Sequence, residues 1–230
     1  MMKKEEAIRI VVSCAIDYHE NLAGRNILFI YGNVSEPKFL ECRFDSSNYK
    51  HLTGVVFEGS GSHFYNLCLD KRLPSSSIAL KEDGSTEMKL HVLPQLMQIH
   101  KKAKMIGSYA GYKNLLVTEK IVGNTTACLG FALDEKIGFY VPNTALKEDM
   151  RNISTATERV LAVFRKAKSA PRYNEQCYIA KGVTLSSFQL TSMRIETKEK
   201  LEKCKVALSA TTSDIVRKGI DGVYDGLNKK

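Results

Sequence analysis

The region 105–181 limits the fold more than any other part of the chain. Apolar runs there are cut by short turns: 115–122 stops at Gly123-Asn124, 125–133 at Asp134-Glu135, and 137–141 at Pro142. A short helix is expected near 144–152, and two more apolar runs follow at 160–165 and 176–180. Successive parallel strands need a connection of about a dozen residues, usually a helix. Turns this short leave no room for one, so the region reads as an antiparallel meander.

The N-terminal part carries a helical period instead. Ile8, Val12, Ala15, His19 and Leu22 recur at spacings of three and four, which predicts a helix over 4–22 stopped by Gly24. The continuous apolar run 26–31, the turn signal Gly32-Asn33 and the alternating 39–44 predict a strand hairpin. Phe64, Leu67 and Lys71 fit one helical face that Pro74 ends. A second helix over 86–104 is expected to kink or restart at Pro94, with Lys101, Lys102 and Lys104 suiting its C-terminus. The fold class is therefore α+β, with N-terminal helices packed on a curved antiparallel β-sheet. Residues 1–182 form the expected domain, helical over 1–110 and meandering over 111–182. The Lys/Glu-rich remainder, 183–230, is expected to be a helical C-terminal extension.

A chain of 230 residues with 43% apolar content can build its own core. No apolar run reaches the roughly 18–20 residues that cross a bilayer, and Glu5, Glu6, Arg9 and Asp17 interrupt the N-terminal stretch. A cytoplasmic protein without a membrane partner is the expectation. The six cysteines lie at least 26 residues apart, which rules out C-x-x-C spacing and favours buried free thiols.

Charge points to a polyanionic partner. There are 34 basic against 25 acidic residues, a net charge of +9. Between Arg159 and Arg172 five basic residues, Arg159, Arg165, Lys166, Lys168 and Arg172, stand without an acid. Such a run can track a phosphate backbone, with Tyr173 and Tyr178 placed to stack bases; an ordinary solvated strand end has the same composition. His51 and Thr53 flank Leu52 in His-Leu-Thr-Gly. On an extended segment positions i and i+2 share a face, so imidazole and hydroxyl would aim at one reacting group. A second polar cluster runs from Pro142 to Asn152. Asn143 or Thr144 can cap the expected helix there, while Arg151 has a fork of donors suited to phosphate. Gly107–Lys113 lacks the Gly-Lys-Ser/Thr ending of a phosphate-binding loop, and no paired-Asp, H-E-x-x-H, G-x-S-x-G or dinucleotide motif occurs. Neither a metal nor a cofactor is expected.

Three segments together carry a resemblance: 44–54, ending in Tyr49-Lys-His-Leu-Thr-Gly54; 120–131, Lys-Ile-Val-Gly-Asn-Thr-Thr-Ala-Cys-Leu-Gly-Phe; and 139–151, Phe-Tyr-Val-Pro-Asn-Thr-Ala-Leu-Lys-Glu-Asp-Met-Arg. Over residues 25–181 the chain resembles a phage- and mobile-element-associated branch of the Barnase–EndoU–colicin–RelE-like (BECR) nucleases. That resemblance implies a small α+β fold and metal-independent, toxin-like cleavage of RNA. The ribose 2′-OH would attack its neighbouring phosphate and leave a 2′,3′-cyclic phosphate. It implies His51 as base or acid and Thr53 as a positioning group, with Thr144 beside them. Arg151 and one of Lys113, Lys166 or Lys181 would neutralise charge. Arg165, Lys168 and Tyr173 complete the implied RNA contacts. RNA, transfer RNA among its forms, is the implied substrate, and an immunity or inhibitor protein the implied partner. The alternative is a non-catalytic member that binds nucleic acid or protein through the same basic face.

Overall fold

Helix α1 (Lys4–Asn21) buries Ala7, Val11, Cys14, Ala15 and Tyr18. The core stripe therefore lies one residue ahead of the expected one, with Ile8 and Val12 at its margin. Tyr18 sets that phase. Its ring is fully buried, packs edge-on against Phe44 and Tyr65, and its hydroxyl donates to the Asp45 carbonyl at 2.9 Å. Glu5 and Glu6 in the first turn complement the helix dipole. In this computed structural model, residues 2–111, 117–170, 172–173, 175–184 and 205–206 are described.

After Gly24 the chain enters strand β1 (Arg25–Gly32), which pairs antiparallel with β2 (Pro37–Phe44) from Arg25↔Phe44 to Gly32↔Pro37. The hairpin is the one the alternation implied. The apolar run of β1 is continuous because both its faces are covered. Ile27, Phe29 and Tyr31 face the main core, while Leu28 and Ile30 join a second cluster with Phe164 and Tyr173.

A short helical layer follows: α2 (Tyr49–Thr53), β3 (Val56–Phe57), α3 (Gly61–Leu69), β4 (Ile78–Ala79), α4 (Ser85–Leu96) and α5 (Ile99–Lys102). The expected 86–104 helix thus breaks a few residues after Pro94, and the chain is no longer helical at Lys104. Strands β5 (Met105–Tyr109), β6 (Lys120–Gly123), β7 (Cys128–Asp134) and β8 (Phe139–Leu146) then meander antiparallel. The helix expected over 144–152 is corrected: β8 runs through Leu146, and only α6 (Met150–Ile153) is helical. Asp149, not Asn143 or Thr144, caps it, accepting from the Arg151 N–H. The last long strand, β9 (Ser154–Ala167), is followed by β10 (Arg172–Tyr173) and β11 (Glu175–Ile179). Most of 183–230 lies outside the described residues. Within it, β12 (Lys205–Val206) is extended and pairs parallel with β10, where a helical extension was expected.

The main sheet runs β1-β2-β8-β7-β6-β5-β9-β11, and β1 also pairs with β9. Seven strands therefore form a closed ring of pairings, from β1 round to β9. Each junction is antiparallel except β2–β8, a parallel contact at the single pair Cys42↔Tyr140. Strands from the first 110 residues and from the rest share this sheet. All the chain's junctions with the helices α1, α2 and α5 fall at one end of the ring, where β1 and β5 begin and β2 finishes. The helices fill that end with the large core cluster. At the opposite end, here called the rim, β1, β5 and β7 finish while β2, β6, β8 and β9 begin.

Candidate active site

Period-2 geometry puts a polar group on the inward face of nearly every strand at the rim. In β2, Lys38 is in phase with the core residues Leu40, Cys42 and Phe44 and lies opposite Tyr31. In β6, Lys120 is in phase with Val122 and lies opposite Ser108, itself in phase with Ile106. In β9, Glu158 pairs with Ile106 two residues before the core residue Val160. Tyr140 of β8 lies opposite Leu133 and packs at the edge of the same core.

Hydrogen bonds join these groups in separate sets. The Lys38 ammonium donates to both Glu158 carboxylate oxygens, at 2.8 and 3.1 Å. Lys120 Nζ donates to Ser108 Oγ at 2.9 Å. The Glu119 carboxylate accepts from the Leu133 N–H at 2.9 Å and hydrogen-bonds the Tyr140 hydroxyl. Burial pushes the Tyr31 hydroxyl up to about 12, helped by the charges of Glu158 and Tyr140. Burial and then Glu119 raise Tyr140 in the same direction. Both phenols stay protonated at neutral pH and can donate hydrogen bonds. The rim thus carries two carboxylates, two ammonium groups and two phenols. That set can take a proton, give one, and neutralise an anion.

None of these six residues stood out in the sequence, although a signal was present. A charged residue in the core-facing phase of an amphipathic strand, such as Lys38 before Leu40 and Cys42, marks a strand that leaves the core for a polar site.

The residues singled out from sequence lie elsewhere. The His51–Thr53 segment is helical rather than extended, so i and i+2 diverge instead of sharing a face. His51 is exposed; burial of part of its ring and then Lys50 and Lys89 hold its pKa below the ordinary histidine value. Thr53 is fully buried, and its hydroxyl donates to the Lys50 carbonyl and accepts from the Val55 N–H. It closes a helix end that Gly54 finishes at φ +70°. Thr144 is 2% exposed and faces Gly130 across β7–β8, where its methyl group occupies the space a side chain at Gly130 would need. Arg151 is exposed and bidentate on its neighbour Asp149. Among the described residues, no hydrogen bond, ion pair or ring contact joins His51, Thr53, Thr144 and Arg151 to one another.

The basic run after Arg159 does not form one ribbon, because neighbours on a strand face opposite ways. Arg165 lies opposite Ile27 on the core face, its guanidinium held by Glu175 at 2.6 Å and the Asn21 carbonyl at 2.9 Å. Lys166 is 5% exposed on the other face and donates to the Ala170 carbonyl. Lys168 is paired with Asp45. Tyr173 cannot receive a base in this arrangement: its ring is fully buried beside Lys166, and its hydroxyl donates to Glu41 at 2.5 Å. Lys181 is exposed, and Lys113 lies outside the described residues. Cys14, Cys42, Cys68, Cys128 and Cys177 are free thiols, and all but Cys177 are buried. Among the described residues no group of three His, Cys, Asp or Glu side chains is gathered as a metal site.

The family model for the phage-Barnase-EndoU-ColicinE5/D-RelE like nuclease4, PBECR4, matches residues 10–182. The chain belongs to the PBECR4 family. The match takes in every strand of the ring, including all the rim residues. PBECR4 proteins are nucleases of phage type, so a nucleic acid is the substrate class of this chain. Neither the curated proteins nor the solved structures contain a match to it. Among the described residues no helix is long and apolar enough to cross a membrane.

Proposed function

We propose that this PBECR4 protein is a metal-independent endoribonuclease, a toxin-like effector whose catalytic site is the rim. The observation that carries the reading is the Lys38–Glu158 pair, with Tyr31 beside Glu158 and Tyr140 bound to Glu119 at the same end of the ring. The Glu158 carboxylate takes the proton of a ribose 2′-OH. The O2′ atom then attacks its adjacent phosphorus, and the bond from phosphorus to the 5′ oxygen breaks. Tyr140 gives its proton to that leaving oxygen. Lys38, Lys120 and the Tyr31 hydroxyl neutralise the charge that builds on the phosphate. The products are a 2′,3′-cyclic phosphate and a free 5′-OH. Transfer RNA is the substrate, and an immunity protein covering the rim is the partner this activity calls for.

The test is incubation with total RNA in EDTA followed by mapping of product ends. Cyclic phosphate ends are expected. Glu158→Gln should lower cleavage by about 10²-fold or more, the usual size of a lost general base. His51→Ala should leave it unchanged, since His51 stands at the helical end. A demand for divalent metal, or loss of cleavage in His51→Ala rather than Glu158→Gln, overturns the rim mechanism. One observation favours the competing reading of a member that only binds nucleic acid or protein: both Glu158 oxygens already accept from Lys38. Salt-dependent RNA binding without any cleavage by the parent protein would decide for it.

A further inference from the structure

Outside the rim, one region of the sheet concentrates exposed positive charge. Helix α5 carries Lys101 and Lys102 outward while Ile99 and His100 are buried. Lys104, just ahead of β5, is exposed and holds its ammonium 4.2 Å from the centre of the Tyr178 ring on β11. The Lys104 carbonyl accepts from the Val160 N–H, which brings β9 alongside. There Arg159 is exposed and donates to the Lys181 carbonyl at 2.6 Å, fixing the exposed Lys181 next to the pair. Among the described residues none of the five is paired with a carboxylate. The nearby acid, Glu175, is held by Arg165.

Five exposed cations on neighbouring elements, with no carboxylate partner among the described residues, suit an extended polyanion better than a single small anion. Arg159 also follows Glu158 directly in β9, on the opposite side of the strand, so the patch adjoins the proposed catalytic carboxylate through one peptide bond. We infer that Lys101, Lys102, Lys104, Arg159 and Lys181 form a docking surface for the phosphate backbone of RNA, engaging the strand beyond the segment held at the rim. This deepens the rim reading and rests on it for the identity of the polyanion.

The experiment measures binding of the full chain to a 2′-O-methylated mixed-sequence RNA oligonucleotide, which cannot be cleaved through its 2′ position, across a salt series. The variant Lys101→Glu, Lys104→Glu, Lys181→Glu should bind about tenfold or more weakly at moderate salt. Its log–log salt slope should be shallower by about 2, the change for three cations at roughly 0.7 each on a single strand. The same three positions changed to Ser should give a smaller loss of the same kind, which guards against a misfolded triple-Glu protein. A control with equal charge change at the start of the chain and on helix α1, Lys3→Glu, Lys4→Glu, Arg9→Glu, should bind like the parent. Unchanged affinity in both patch variants, or an equal loss in the control, overturns the docking surface. Cleavage by the parent alongside those negative results removes the patch and leaves the rim mechanism standing. Loss of binding in the patch variants of a protein that cleaves no RNA removes the rim mechanism and keeps the patch.

Discussion

His100 is the residue whose surroundings fit its chemistry least. It is fully buried, and among the described residues neither ring nitrogen has a hydrogen-bond partner. Burial, then the positive charges of Arg165, Lys101 and Arg25, against the opposing pull of Glu175, hold its pKa down to about 4. The neutral ring is tolerated as an apolar filler under β9 and β11, whereas an imidazolium would stand uncompensated. The folded-state pKa lies below the unfolded value, so the contribution is fully present above about pH 6.5 and is lost as pH falls toward 4. The total is of order 3 kcal/mol. Urea unfolding at pH 7 and pH 5 should show the loss, and His100→Leu should flatten it. An equal pH slope in that variant would assign the effect to other groups. Composition gives no hint of this, since a histidine among lysines in Ile-His-Lys-Lys reads as an exposed helix end.

At the scale of elements, the rim depends on a bulge in the β7–β8 pair. Register shifts between Gly130↔Thr144 and Phe131↔Pro142, leaving Asn143 as the extra residue. Its side-chain amide donates to the Val117 carbonyl, and its oxygen accepts from Thr118 Oγ1 at 3.2 Å. A side chain at Gly130 would collide with both Thr118 and Thr144, so the glycine leaves room for both. The clamp therefore fixes the two residues just ahead of Glu119 and Lys120. Asn143→Ala should lower turnover of RNA about tenfold while KM changes little, because positioning rather than binding is lost. The Leu133 amide, which donates to Glu119, should exchange faster in that variant whether or not RNA is cleaved. Protection equal to the parent's would remove Asn143 from the site. Pro142 reads in the sequence as the end of an apolar run, with Asn143 or Thr144 as a helix cap, whereas β8 continues through all three residues with a bulge. Local chemistry favours both outcomes, and only the partner strand decides between them. The helical face of α1 was legible apart from its phase, which long-range contacts of Tyr18 set.

The closure of the whole molecule was the least legible feature. The sequence showed a hairpin near its start and a meander further on, and both are present. What joins them is the pairing of 25–31 with 160–167, a contact across most of the chain that no local period reports. The same pairing separates Arg165 from Lys166, because burial on both faces of β9 turns an apparent basic ribbon into two unrelated internal groups. Strength is uneven round the ring. β1 is paired along its length with β2 on one side and β9 on the other, while β2 meets β8 at one residue pair. A ring opens where its ladder is shortest, so the β2–β8 seam should be the first part of the sheet to exchange its amides. Native-state hydrogen exchange should find the slowest amides in β1 and the second half of β9, close to the global unfolding limit. Amides of β8 near Tyr140 should exchange several-fold faster or more. In the proposed mechanism RNA at the rim would touch groups on both sides of that seam, Lys38 on β2 and Tyr140 on β8. Binding should therefore slow exchange there more than in β1. Protection confined to α2, around His51, would instead place the substrate at the helical end.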